Sequence, residues 1–277
     1  MDSTVYRGYP IPSGPPPATQ DQANPRDQLR ALGAAIDADV QSLVGDIAQA
    51  QADVLSGLRL LTVVRYTAAG VDSFDKGDYA GLRAIRYRLW GSGGGSGSTA
   101  ATSGSQVAQA AGGGSGAYVE GILEEGDLAT SETVTIGAGG TAGTAGGAGN
   151  QGGTTSLGSH GSSTGGGGGA SGTATSNTTG NTSRAGGAAG APTGGDFSLP
   201  GNAAQWANVA TGSPQRNGDG APAPGMGNRA ISPAPSAAGV AAVGYGGGAA
   251  GACAGTSQSA LAGAAGAGGL IVIEVYV

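Results

Sequence analysis

Apolar residues recur through positions 26–61 at Leu29, Leu32, Ile36, Val40, Leu43, Ile47, Val54 and Leu58. Steps of three and four residues place them on one side of an α-helix. The 3, 4, 4 spacing returns every eleven residues, with Gln51 in its single polar slot, and such a repeat suits a nearly straight or slightly right-handed bundle. Asp37, Asp39, Gln41, Asp46, Gln49 and Asp53 occupy the opposite face. Asn24 and Asp27 are the candidate caps, and Pro25 suits a first helical turn. A narrow apolar seam cannot bury itself, and the chain offers no second amphipathic helix to receive it. The pattern therefore predicts association of identical helices, a homotrimer with a dimer as the alternative.

The period then changes from helix to strand. Val63, Val64 and Tyr66 suggest a short strand, and residues 70–81 read as a turn-rich connection. Ile85, Tyr87 and Leu89 alternate with Arg86 and Arg88, the signature of a half-buried strand. Residues 118–123 and 133–136 predict two more. Residues 270–277 are the most apolar run in the chain, and a strand this apolar needs cover, since an exposed edge invites aggregation.

Between the strands the period is three, and it belongs to glycine. Glycine falls at 137, 140, 143, 146, 149 and 152 in succession, with shorter echoes at Gly91, Gly94, Gly97, at Gly166, Gly169, Gly172 and at Gly263, Gly266, Gly269. Three residues per turn is the polyproline II period, whose backbone makes no internal hydrogen bonds. A glycine at every third position leaves one face bare, so neighbouring chains can approach and pair N–H with C=O. Collagen shares the period, but the 137–152 run contains no proline and is short. The expected fold class is thus mixed, mostly β or irregular. A Pro-rich extended arm (1–25) leads to a single long helix (26–61) forming a trimeric coiled-coil-like stalk. A connector (62–82) follows, then a glycine-rich domain (83–277) of polyglycine II helices closed by a small β-sheet.

Composition bears on this in two ways. Glycine supplies 60 of 277 residues, and 52 of those lie from Gly91 onward. Taken alone, that composition reads as disorder; the three-residue period argues for order. The net charge of −6 gives no support to nucleic-acid binding, which needs a basic face. Cys253 is the single cysteine, which excludes an intrachain disulfide and a multi-cysteine zinc site. No cofactor or metal motif is expected: the glycine runs are not followed by the Gly-Lys-Ser/Thr of a phosphate-binding loop. The N-terminus lacks a basic start followed by an apolar run, and no apolar run approaches ~20 residues, so neither a signal peptide nor membrane insertion is expected.

A strand ending in an aromatic and running into glycine (residues 83–95) is followed by Val134-Thr-Ile-Gly-Ala-Gly-Gly140. Next come Gly152-Gly-Thr-Thr-Ser-Leu-Gly158 and the closing Gly268-Gly-Leu-Ile-Val-Ile-Glu-Val-Tyr-Val277. In this order the motifs resemble the glycine-rich C-terminal domain of bacteriophage tail-fibre and minor tail proteins. In composition the segment is similar to the glycine-rich adhesins at phage fibre tips. The resemblance covers about residues 83–277; the arm and helix resemble minor tail proteins of phages infecting actinobacteria. It implies a virion protein, extracellular after lysis, that binds a bacterial surface receptor, a glycan or another envelope component. Its arm, with Tyr6 and Tyr9, would be either a floppy tail or a tether onto other tail proteins. A Gly/Ala-rich bacterial wall protein and a silk-like or antifreeze-like structural protein are the other classes.

In such domains the contact residues sit on loops between the glycine helices. Residues 192–235 depart most from the glycine pattern, carrying seven prolines with Phe197, Trp206, Arg216, Met226 and Arg229. Trp206, Phe197, Arg216 and Arg229 are the receptor-contact candidates; the two aromatics suit either stacking on a sugar or a place among the domain's few core anchors. Other constellations carry less. His160, the single histidine, reads as a solvated loop residue, and no enzyme is expected. Glu120, Glu124, Glu125 and Asp127 read as an exposed acidic turn rather than a carboxylate pair for glycoside cleavage. The sequons at Asn177 and Asn181 matter only on a eukaryotic secretory route.

Overall fold

The computed structural model describes residues 25–55, 57–210, 218–226, 230–231 and 236–277. The chain divides into two compact units, Met1–Arg59 and Leu60–Val277. In the first, α1 spans Pro25–Leu55. The expected coiled-coil-like stalk is absent from the described residues. α1 is their single α-helix, the rest being mostly antiparallel β-sheet, and Leu29, Ile36, Val40, Leu43 and Ile47 stand exposed, with Leu32 half-buried. Leu58 lies beyond the helix, also exposed, because the β-branched Thr62, Val63 and Val64 switch the chain to strand from Leu60. The Val54 side chain and the arm through residue 24 fall outside the described residues.

The second unit is mostly antiparallel β-sheet. Its strands in chain order are β1 (Leu60–Tyr66), β2 (Gly70–Asp75), β3 (Ala84–Trp90), β4 (Gln106–Gln109) and β5 (Tyr118–Glu124). Then come β6 (Ser131–Ile136), β7 (Thr155–Leu157), β8 (Gly161–Ser163), β9 (Thr175–Ser176) and β10 (Thr182–Arg184). The last are β11 (Pro192–Gly194), β12 (Phe197–Leu199), β13 (Ala207–Val209), β14 (Cys253–Ala254) and β15 (Leu270–Tyr276). Two five-stranded sheets dominate, ordered β1-β15-β3-β5-β12 and β11-β8-β7-β6-β2; β14-β4-β9 and β10-β13 form smaller ones. The first half of the segment expected to be a turn-rich connection is β2, which pairs with β6 along its whole length, and the second half is a 3-10 turn and the residues after it. The Phe74 of β2 is a core residue, and in a six-residue strand holding one buried apolar side chain no alternation marks it.

Alternation explains which side chains meet between the large sheets. Ile85, Tyr87 and Leu89 of β3, Val119 of β5, and Ile271, Ile273 and Val275 of β15 point one way. They join Phe74, Leu128, Val134, Ile136 and Leu157 in a single buried cluster. The closing sheet is therefore not a small cap but half of a sandwich with its own core. β15 is buried as its composition requires, paired with β1 on one side and β3 on the other.

The strands enter the glycine segments at a common level. Leu270 pairs with Trp90, Trp90 with Tyr118, and Tyr118 with Leu199. Beyond that row, residues 91–102 run through the middle of the glycine segments. Gly93, Ser96 and Thr99 donate their N–H groups to Ala267, Ala264 and Leu261. Gly94 and Gly97 donate to Gly114 and Ala111, and Gly95 and Ser98 to Asn150 and Gly147. The carbonyls face three further neighbours: Gly166, Gly169 and Gly172; Gly140 and Gly143; Ala249 and Ala252. Partners change with a period of three, as an extended threefold chain requires, so one segment is bonded laterally to six others. Ser92, Ser96, Ser98 and Thr99 are wholly buried within this array. Their hydroxyls bond to backbone as well: Ser92 and Ser98 donate to the Gly153 and Gly147 carbonyls at 2.9 and 3.0 Å.

The six-glycine run is not one continuous helix. The chain reverses at Ala145 and Gly146, both with positive φ. Residues 147–153 then return against 138–144, Gly147, Asn150 and Gly153 donating to Thr144, Thr141 and Ala138. Glycine at every third position fits the straight segment and the reversal equally, so the repeat could not mark the turn.

Candidate functional site

Alternation along β3 sends Arg86, Arg88 and Trp90 to the outer face of their sheet, opposite the core. Register brings Glu120 of β5 beside Arg88 and Phe197 of β12 beside Glu120. The Arg86 Nε donates to the Glu120 carboxylate at 2.8 Å. Arg88 is paired with Glu274 of β15, whose other oxygen accepts the Tyr276 hydroxyl at 3.0 Å. The Tyr118 hydroxyl donates to the second oxygen of Glu120. That bond and the Arg86 guanidinium hold the Glu120 carboxyl below its usual range, against the opposing effect of burial. Burial and the same carboxylate push the Tyr118 hydroxyl up. Glu120 is thus an ionised acceptor and Tyr118 a neutral donor across the neutral range.

Around Glu120 lies a cleft of about 270 Å³ lined by Trp90, Tyr118, Phe197, Leu199, Pro224 and Gly225. In its lining the Trp90 and Tyr118 rings pack with centroids 4.9 Å apart, tilted by 53°. Phe197 meets Tyr118 edge-on at 6.3 Å. One wall is the turn at residues 224–226, tied down where the Trp90 indole Nε1 donates to the Pro224 carbonyl at 2.9 Å. The other wall depends on two glycines. Gly194 and Gly195, with φ of +74° and +73°, carry the chain from β11 in one large sheet to β12 in the other. Asp196 then locks β12 in place, accepting the Ile122 N–H at 2.8 Å.

Of the receptor-contact candidates, Phe197 lines this cleft and is 53% exposed, so it is not the core anchor its type suggested. Trp206 is also exposed but does not line it, and Arg216 and Arg229 lie outside the described residues. Reading by composition missed Trp90, Tyr118, Leu199 and Pro224. One signal was present: Trp90 immediately precedes a glycine run and Tyr118 closely follows another.

Several titratable groups outside the cleft serve the scaffold. His160 is not a solvated loop residue. Its Nε2 lies 3.0 Å from the buried Glu132 carboxylate, and its backbone carbonyl accepts the Tyr87 hydroxyl and the Gly195 N–H. Glu124 and Asp127 form a capping box around a 3-10 turn at Glu125–Asp127, while Glu125 pairs with Lys76. Cys253 is buried, where its sulfur accepts from the Gln109 side chain at 3.2 Å. Among the described residues no group of three His, Cys, Asp or Glu is placed to hold a metal ion, and no helix is long and apolar enough to cross a membrane.

Compared with known proteins, residues 74–276 match the model of a family described as a glycine-rich domain. No curated protein matches the chain.

Proposed function

We propose that this chain, which belongs to the glycine-rich domain family, is a structural adhesive: a bacteriophage tail-fibre or tail-tip protein that attaches the virion to the surface of a bacterial host. The observation that carries this reading is an aromatic cleft mounted where the sandwich meets the glycine array. A fibre end must hold its contact groups still. Here a laterally bonded backbone supplies stiffness with few large side chains, and the cleft is built from strand ends that the array anchors. The order of strand and glycine motifs, which resembles that of phage tail proteins, supports the same reading. In it, the N-terminal arm docks the subunit on other tail proteins.

The experiment is binding of the fluorescently labelled full chain to intact cells from a panel of actinobacteria and proteobacteria. Saturable binding to a restricted set of hosts, competed by unlabelled protein, is expected. Retention on every cell type alike, or on none, contradicts the proposal.

A further inference from the structure

We propose that the cleft of Trp90, Tyr118, Phe197, Leu199 and Pro224 is a saccharide site that takes one neutral pyranose ring, an inference that rests on the adhesive reading above. The rings are set in place before any ligand arrives: Trp90 by its bond to Pro224, Tyr118 by its bond to Glu120 and by aromatic neighbours on two sides. Their planes are tilted rather than coplanar, which makes a concave seat for the C–H face of a sugar. Phe197 and Leu199 leave apolar surface exposed at the wall, which a ring lying in the cleft would cover. Gly225, also in the lining, has open space around it, since a Cβ there would meet nothing within 4 Å.

Size and charge narrow the occupant. A volume of about 270 Å³ holds a single ring, whereas a docked helix is ~10–12 Å across with its side chains and needs a longer groove. A carboxylate offers roughly four acceptor positions. Arg86 fills two of those on Glu120 through Nε and Nη2, and Tyr118 fills one. One remains for a ligand hydroxyl. The two nearby arginines among the described residues spend their charge on ion pairs within the sheet, Arg86 with Glu120 and Glu274 and Arg88 with Glu274, and the one Arg88 donor left without a partner, Nε, is buried away from the surface. Among the described residues an acidic sugar would therefore meet the Glu120 charge with no uncommitted cation beside it, while a neutral sugar donates to it.

Ligand-observed saturation-transfer NMR on the full chain tests this, using methyl glycosides of glucose, galactose, mannose and N-acetylglucosamine, with N-acetylneuraminic acid as the acidic comparison. At least one neutral glycoside is expected to saturate through its ring protons, and the acidic sugar to bind far more weakly. Phe197→Ala, at an exposed position, is expected to weaken the neutral sugar at least about tenfold with an unchanged melting temperature. Should that variant unfold, Leu199→Ser provides the same readout from the same wall. The inference is overturned if no neutral glycoside saturates, if the acidic sugar binds as well, or if a folded wall variant binds unchanged. Cell binding of the same proteins separates the two levels. Cells bound without glycoside saturation sink this inference alone, and glycosides bound without cell attachment sink the adhesive reading alone.

Discussion

A Cβ atom added to Gly93 would lie 1.7 Å from the carbonyl oxygen of Gly247, closer than any non-bonded contact allows. The obstacle is backbone, so it cannot rotate aside. Gly93→Ala is expected to force two segments of the array apart and to destabilise the chain by more than about 4 kcal/mol, measured by urea denaturation. Gly126 provides the control, because nothing lies within 4 Å of its Cβ position. Gly126→Ala is expected to be neutral or to stabilise by about 0.4–1 kcal/mol through the unfolded chain.

Hydroxyls at the array's centre act as backbone partners. The buried Ser96 donates its N–H to the Ala264 carbonyl, and its Oγ accepts the Ala264 N–H at 2.9 Å. Ser96→Ala keeps the volume but strands that N–H, a loss of about 1–3 kcal/mol. Amide exchange at Ala264 is expected to accelerate more than at Ala267, which donates to the Gly247 carbonyl instead.

Some of this was legible and some was not. Ile85, Tyr87 and Leu89 alternate, and residues 270–277 are uniformly apolar; both lie in strands of the sandwich core because burial imposes those patterns. The cleft was hidden. Trp90, Tyr118 and Phe197 come from three strands whose register is set by pairing across the chain. β12 is three residues long, exposed throughout, and carries no periodic signal. The apolar seam of α1 was visible as a pattern, but a pattern does not state what covers it, and the described residues contain no coiled coil.

Alkaline stability should report on Tyr66. Its hydroxyl donates to the Ser73 carbonyl at 3.0 Å. Burial, then Tyr79 and the Asp72, Asp75 and Asp78 charges, push it from 10.0 up to about 12. Between those values the unfolded chain has released the proton and the folded chain still holds it. Tyr66 therefore contributes stability in full below pH 10 that disappears as the pH rises through about 12. The urea midpoint of the native chain is expected to fall across this window. Tyr66→Phe is expected to show a shallower fall, with Tyr79, Tyr87, Tyr118 and Tyr276, also shifted upward, contributing to the remainder.

Glu132 is nearly buried, accepting the Ala129 N–H at 2.8 Å and facing His160 at 3.0 Å. Glu132→Ala is expected to destabilise by about 1–3 kcal/mol by removing the acceptor of a backbone N–H. Since Glu132 is not among the cleft residues, saccharide binding by the folded fraction is expected to be unchanged, as read by the same saturation-transfer measurement.

Central to this account is the claim that the glycine segments form an ordered, cross-bonded platform. Hydrogen–deuterium exchange at Gly93, Gly94, Gly95 and Gly97 of the full chain addresses it most directly. These amides donate to Ala267, Gly114, Asn150 and Ala111, four partners on three different segments. Protection equal to that of Ile85 and Leu89 in the sandwich core is the predicted result. Exchange at the rate of an unstructured peptide, while the core strands remain protected, would contradict it.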